Sequence, residues 1–389
     1  MSKSLVLVES QKKYQTLQCY LNQSELYQLQ VVESDPATIR SLYWGQFQPH
    51  RENPALASLA ENIEHWQTIY IATAPGPLGG FWARHWQRML GLPESQMKRV
   101  SWPFLSNNVV LSSLKPGSSD IDSVLEQLLQ VDMLVDSHVR KVLHPRDNVP
   151  ILGMVPLIAL NWIAEQSSEP SKTQLEIVAR FRGRKEWLEA RLCSQEGQPL
   201  RLTDRNVAKA TIIDLKEHTY HISKINNGQT FQEPPQPFNT AALLSTAQAF
   251  LGFSFKTTLD IALFLYDGVD IGLKMPLGLI SFPLTDSTVL PPEEITGIRE
   301  FILVNFGTMY LPQTVKKSDF DASTLGAIRP AQPLCPPRKI KKYLTKEQYA
   351  LYKLIWARTL ASQMNGCLMG SRIIELSGGP EQRYQFKVQ

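Results

Sequence analysis

Near its start the chain presents the same succession twice: a short apolar run, a polar turn, then a helix-forming stretch. Leu5-Val6-Leu7-Val8 stops at Glu9-Ser10, and Gln11 to Leu21 reads as a helix. Thr68-Ile69-Tyr70-Ile71-Ala72-Thr73 repeats the run, with Ala74-Pro75-Gly76-Pro77-Leu78-Gly79-Gly80 as its turn and a Trp-rich helix from about Phe81 to Leu90. An apolar run without alternation is a strand buried on both faces, and strands alternating with helices build a parallel α/β sheet. Such sheets collect functional groups at the carboxyl ends of their strands. Glu9 and the segment from Ala74 to Gly80 stand at those ends.

Further along, Ser119 to Leu143 carries a helical apolar stripe, and Val149 to Ala164 is a second apolar helix. Leu175 to Ala179 and Ala208 to Asp214 read as strands of a β-rich region, and Glu233-Pro234-Pro235-Gln236-Pro237 as a linker. Two short helices follow. Asn239 or Thr240 caps the first, which stops at Gly252; Ser254 caps the second, which stops at Gly268. Leu277 to Phe282 reads as a short strand, and the Pro-rich then basic stretch to Lys342 as a solvated loop. Thr345-Lys346-Glu347-Gln348 is a capping box that opens a long helix. The tail from Gly378 reads as frayed or as a short strand.

Composition narrows the class. The net charge of +4 permits a nucleic-acid partner without demanding one. The four Cys are scattered with no C-x-x-C pair, which excludes a zinc ribbon and argues against a disulfide framework. No signal peptide and no membrane-spanning run is visible, so the expectation is a soluble cytoplasmic protein, nucleoid-associated if it binds DNA, with no membrane partner.

Gly278-Leu279-Ile280-Ser281-Phe282-Pro283-Leu284-Thr285-Asp286-Ser287 resembles the active-site segment of the type IA DNA topoisomerases, G-L-I-T-Y-x-R-T-D-S. Further blocks follow in family order. Leu5 to Ser10 with Lys13 and Thr16 is similar to the start of the family's Toprim domain. Gly79, Ala83 and His85 match the end of its D-x-D-R-E-G-E-x-x-A-x-H block. Pro235-Pro237-Phe238, Leu251 to Ser254, Leu265 to Gly268, Tyr310-Leu311-Pro312, Ala327 to Pro330, Leu351 to Trp356 and Ala361 to Met364 continue the likeness across nearly the whole chain.

The departures fall at functional positions. The resemblance implies a Tyr nucleophile at Phe282 and a phosphate-holding Arg at Leu284. A phenyl ring has no oxygen to form a phosphotyrosine, and Leu cannot pair with a phosphate. Ala74 and Gly76 replace the two Asp of D-x-D, Gly80 and Leu78 replace Glu, and Pro77 replaces Arg. Glu9 alone remains of the acidic cluster. Magnesium needs oxygen ligands, so no metal or other cofactor is expected. Met154 and Pro156 replace an Arg and a Gln, and Leu325 and Gly326 a His and a Glu. The chain also stops short of the family's ring-closing segment, which puts a closed toroid in doubt.

Each surviving residue has a plain reading beside the functional one. Phe282 reads as a core aromatic, Glu9 as a strand-end carboxylate bonded to backbone N–H groups, and Lys13 and Arg329 as surface cations. Thr285, Asp286 and Ser287 can cap the next element. The run Arg338, Lys339, Lys341, Lys342 is the best local site for phosphate contact. Lys13, Thr285, Asp286, Ser287, Arg329, Lys339, Lys341 and Lys342 are thus the DNA-binding candidates, with no intact catalytic group.

The expected architecture is multidomain, α/β plus α+β. It comprises a Toprim-like domain (1–112), a helical lobe (113–165), a β-rich gate lobe (166–236 with 346–389) and an active-site-like lobe with a helix-turn-helix-like pair (237–345). The expected function is a catalytically inactive topoisomerase-like protein that binds single-stranded DNA, or partners or regulates an active topoisomerase or other DNA-processing protein. The alternatives are an active topoisomerase with a non-standard nucleophile, and a protein-interaction module without DNA binding.

Overall fold

The computed structural model describes residues 4–22, 26–32, 59, 63–93, 95–114, 131, 161–165, 175–182, 187–195, 198–200, 202–312, 319–320, 325–331 and 335–388. The chain forms two compact units, Met1–Leu157 with Pro234–Asn365, and Ile158–Glu233 with Gly366–Gln389.

The first unit opens with β1 (Ser4–Val8), α1 (Gln11–Leu21), β2 (Tyr27–Val31), β3 (Thr68–Ala72), α2 (Pro77–Met89), β4 (Met97–Val100) and α3 (Asn107–Ser113). The strands make an all-parallel sheet in the order β2-β1-β3-β4. Both faces are covered, as the apolar runs require. Leu5, Leu7, Ile69 and Ile71 meet Trp82, Ala83 and Trp86 of α2 on one face. Val6, Val8, Tyr70 and Ala72 enter a larger core with Leu17, Tyr20 and Trp102 on the other. Strand order reverses between β1 and β3, which opens a crevice at their carboxyl ends.

Helix α2 begins at Pro77, earlier than the expected Phe81, because Pro is well suited to a helix's first position. A Cβ on Gly79 would lie 1.8 Å from the Ala74 carbonyl oxygen, so only glycine lets the helix start this close to the strand end.

In the second unit come β5 (Val178–Arg182), β6 (Trp187–Gln195), β7 (Gln198–Pro199), α4 (Arg205–Lys216) and β8 (Tyr220–Gln232). The strand expected over Leu175–Ala179 is shifted: Leu175 makes an isolated bridge to Leu202, and β5 starts at Val178. The strand expected over Ala208–Asp214 is helix α4. Its β-branched run misled, while the Asp204 cap and the helical spacing of buried Ala208, Thr211 and Leu215 decide.

The chain returns to the first unit through α5 (Thr240–Leu251) and α6 (Phe255–Tyr266), with the expected signals. Asn239 Oδ1 accepts from Ala242 N–H at 2.9 Å, Gly252 closes α5 with φ 70°, and Ser254 Oγ accepts from Thr257 N–H at 3.0 Å. α7 (Pro292–Phe306), α8 (Pro337–Ile340) and α9 (Lys346–Ser362) follow. The capping box at Thr345 and Gln348 is complete.

Helix α9 buries Leu351, Tyr352 and Ile355 in the core shared with α5 and α6, so it belongs to the first unit. The expected return at residue 346 moves to Gly366. The basic stretch is not a loop: Pro337 opens α8, buried Ile340 anchors it, and a 3-10 turn spans Lys341–Tyr343. Leu277 to Phe282 is extended but joins no sheet; isolated bridges tie Leu277 to Val269 and Ile280 to Pro330.

The tail is ordered. β9 (Cys367–Gly378) and β10 (Tyr384–Val388) complete an antiparallel sheet in the order β5-β6-β10-β9-β8, with β7 beside β6. Leu376, Tyr384 and Phe386 pack its core with Ala190, Leu192 and Leu215. The helices expected over 119–143 and 149–164, with Met154 and Pro156, lie outside the described residues except Val131 and 161–164, which are helical. Among the described residues no single helix is long and apolar enough to cross a membrane.

Candidate functional site

Glu9 ends β1 at the crevice. Its Oε2 accepts the Ala74 backbone N–H at 2.9 Å, and its Oε1 pairs with Lys13 Nζ at 3.1 Å. One turn of helix brings Lys13 back over Glu9, an i, i+4 pair begun by the Ser10 cap. Lys13 is not the expected surface cation: it is fully buried, with Nζ 5.5 Å from the Trp102 ring centroid. A charge buried this fully needs a partner, and Glu9 supplies it.

Beside this pair, Ser10 Oγ donates to Asp267 Oδ2 at 3.4 Å, and Thr16 Oγ1 to the Asp267 carbonyl at 2.6 Å. Burial pushes the Asp267 carboxyl up to about 6, against the pull of Lys13. Tyr266 donates its hydroxyl to the Trp102 carbonyl at 2.7 Å. Burial, then the charges of Glu9 and Asp267, hold that hydroxyl well above its usual range.

Phe282 meets Tyr266 edge-on, with ring centroids 5.2 Å apart. It is 5% exposed, shares the core that includes Val8 and Trp102, and donates its N–H to the Pro103 carbonyl at 2.8 Å. The Phe282 segment and the Glu9 strand end therefore sit in one unit around one core. Its neighbour Ser281 is also buried, at 3% exposure. Its Oγ donates to the Ala327 carbonyl at 3.1 Å and accepts the Arg329 N–H at 3.1 Å. Neither Ser281 nor Tyr266 offers an activated nucleophile, since each hydroxyl is committed to a backbone carbonyl rather than to a base.

Arg329 is likewise buried rather than exposed, at 4%. One guanidinium edge meets the Glu294 carboxylate of α7 in a bidentate pair: Nη2 lies 2.6 Å from Oε1, and Nε contacts Oε2. Nη1 donates to the Ala327 carbonyl at 2.9 Å. The burial that lowers Arg329 to about 10 leaves it charged at neutral pH. Thr285 and Ser287 fold the segment locally: Ser287 N–H donates to Thr285 Oγ1, Val289 N–H to Ser287 Oγ, and Thr285 N–H to Thr240 Oγ1. Asp286 is exposed, and its carbonyl accepts from Asn239 Nδ2. Leu284 is half-buried against the core.

The magnesium that the resemblance implies does not fit the residues present. Glu9 already has both oxygens engaged, and Ala74, Gly76 and Gly80 bring no side-chain oxygen. Among the described residues no group of three or more His, Cys, Asp or Glu could hold an ion.

Arg338, Lys339, Lys341 and Lys342 are exposed along α8 and the turn after it. Lys342 Nζ lies 4.7 Å from the Tyr343 ring and Lys341 Nζ 5.7 Å from the Tyr349 ring. Cations fixed beside rings suit phosphates and stacked bases. Arg99 and Glu294 escaped the sequence reading. A lone Arg in the strand-like Met97-Lys98-Arg99-Val100 was the available signal for the first; Glu294, one acid in a helical first turn, carried none.

A family model described as DNA topoisomerase matches residues 134–389. Among solved structures, full-length topoisomerase I from Thermotoga maritima has a TM-score of 0.69 and 22% identity, over 99% of this chain and 64% of that one. At that identity the likeness speaks for the fold, and the chain spans 64% of that relative's length.

Proposed function

Since the chain belongs to the type IA DNA topoisomerase family, we propose that it is a member that does not cut DNA. It binds single-stranded DNA, or acts as a partner or regulator of an active topoisomerase. In this reading the parallel sheet is a Toprim-type domain whose metal chemistry is lost.

The observation that carries the proposal is Phe282, a buried ring without an oxygen at the position where the family places its nucleophile. The neighbouring hydroxyls of Ser281 and Tyr266, engaged with carbonyls, support it against a substitute nucleophile. The exposed basic turn from Arg338 to Lys342 with Tyr343 supports retained strand binding, because binding needs cations and rings rather than a reactive oxygen.

A labelled single-stranded oligonucleotide decides both halves. Salt-sensitive binding and no protein-linked label after denaturation are expected. A covalent adduct would refute inactivity. Absence of salt-sensitive affinity at low ionic strength would refute DNA binding and leave an interaction module. That second reading is favoured by the apolar group at the end of α7, where Val304 and Met309 are 82% and 87% exposed.

A further inference from the structure

Two buried cations lie at this strand end: Lys13, part of the block that resembles the family, and Arg99, beside the positions that lack its acids. Arg99 extends from β4, 7% exposed, across the carboxyl end of β3. Its Nε donates to Thr73 Oγ1 at 3.2 Å, and its Nη2 to the carbonyls of Ala74 and Gly76 at 3.0 and 3.2 Å. A Cβ built on Gly80 would lie 3.4 Å from Nη1. The guanidinium therefore spans positions 74, 76 and 80, three of the four at which the resemblance implies a carboxylate and this chain has none.

Lys13 completes the arrangement. It holds Glu9 Oε1 while the Ala74 N–H holds Oε2. A divalent ion entering here would have to displace a buried ammonium from the one remaining carboxylate, and a second fixed cation stands beside it. Hard cations need several unencumbered oxygens, and this crevice offers backbone carbonyls already turned toward Arg99.

We propose that Arg99 and Lys13 are resident counter-ions that brace the turn after β3 in place of a metal, and that they keep divalent cations out even when a carboxylate is restored. The inference stands apart from the functional proposal: it concerns cation binding by the free protein and survives whether or not DNA binds.

The test uses the full chain and Mn²⁺, followed by loss of the free-ion paramagnetic resonance signal, with Mg²⁺-dependent melting as a second readout. The unmodified protein and Gly80→Glu are expected to bind no Mn²⁺ at millimolar concentration and to melt independently of Mg²⁺. The new carboxylate has Arg99 for a partner. Adding Arg99→Gln to Gly80→Glu should tighten Mn²⁺ binding by about tenfold or more, the scale on which groups around a metal ligand set its affinity. Arg99→Lys keeps a charge but loses the grip on the turn. It should still exclude Mn²⁺ and should become protease-sensitive at residues 73–76, a readout that works even if Arg99→Gln does not fold. Equal Mn²⁺ affinity of Gly80→Glu with and without Arg99→Gln would overturn the proposal. So would stoichiometric Mn²⁺ on the unmodified chain that disappears with Glu9→Gln, or an Arg99→Lys protein with an unaltered cleavage pattern.

Discussion

Phe282→Tyr returns the missing oxygen to the family's position, and the structure argues that it returns nothing else. The ring is 5% exposed and lies edge-on to Tyr266, in a core with Val8, Trp102 and Leu279. The phenol of Tyr266 beside it is already bonded to the Trp102 carbonyl. Burying a hydroxyl without a partner costs roughly 1–3 kcal/mol, and the retained edge-to-face packing offsets none of that. The variant should therefore be less stable by about that amount. Cleavage should still be absent, because Leu284 cannot hold the phosphate and Ala74, Gly76 and Gly80 bring no carboxylate. Chemical denaturation gives the stability, and a denaturing gel of labelled single-stranded DNA gives the adduct. A phosphotyrosine-linked strand from this single change would refute the account of the other losses. A variant as stable as the parent would show that the site has room and a partner for the oxygen.

The buried Arg329–Glu294 pair should behave as structure. Arg329→Met leaves Glu294 unpaired and should cost about 3–5 kcal/mol, whereas Arg329→Met with Glu294→Leu should recover most of it, a double-mutant cycle read by urea unfolding. Replacing Arg338, Lys339, Lys341 and Lys342 together by Ala should flatten the salt dependence of single-strand binding. The logarithmic slope should fall by up to about 3, at ~0.7 for each phosphate no longer neutralised. An unchanged slope would place the phosphates elsewhere. Asp267 holds its proton more tightly folded than unfolded, since its carboxyl is raised from 3.8 to about 6. Its contribution to stability is therefore greatest at low pH and declines as pH rises through that interval, by up to ~3 kcal/mol at ~1.4 kcal/mol per unit. Asp267→Asn should remove this decline and be more stable than the parent at pH 8. A pH-stability curve parallel to the parent's would contradict it.

What the sequence made legible was local and periodic. The buried strands, the caps at Asn239, Ser254 and Thr345, and the glycine stop at Gly252 follow from short-range chemistry. Helix α4 was misread because Thr211-Ile212-Ile213 favours a strand when only neighbours are counted, while burial of Ala208, Thr211 and Leu215 depends on the sheet below. The ribbon of β8 and β9 left no alternating pattern, because most of its side chains are exposed on both faces. At the candidate site the losses at Phe282 and Leu284 were visible residue by residue. The burial of Lys13 and Arg329 was not, since their partners are set by how segments far apart in sequence pack: Trp102 lies over the first and Glu294 beside the second.

Strands β8 and β9 pair from Tyr220 with Gly378 to Gln232 with Cys367, and between them in sequence lies the entire returning segment of the first unit. The thirteen-residue β8 therefore waits for its partner until that whole segment has emerged from the ribosome. Such distant pairing is slow to close. A nascent or prematurely terminated chain would meanwhile display an unmatched strand bearing Ile222, Ile225 and Phe231, an invitation to intermolecular pairing. Yield during expression should thus hinge on chaperone supply more than on the final stability of the protein.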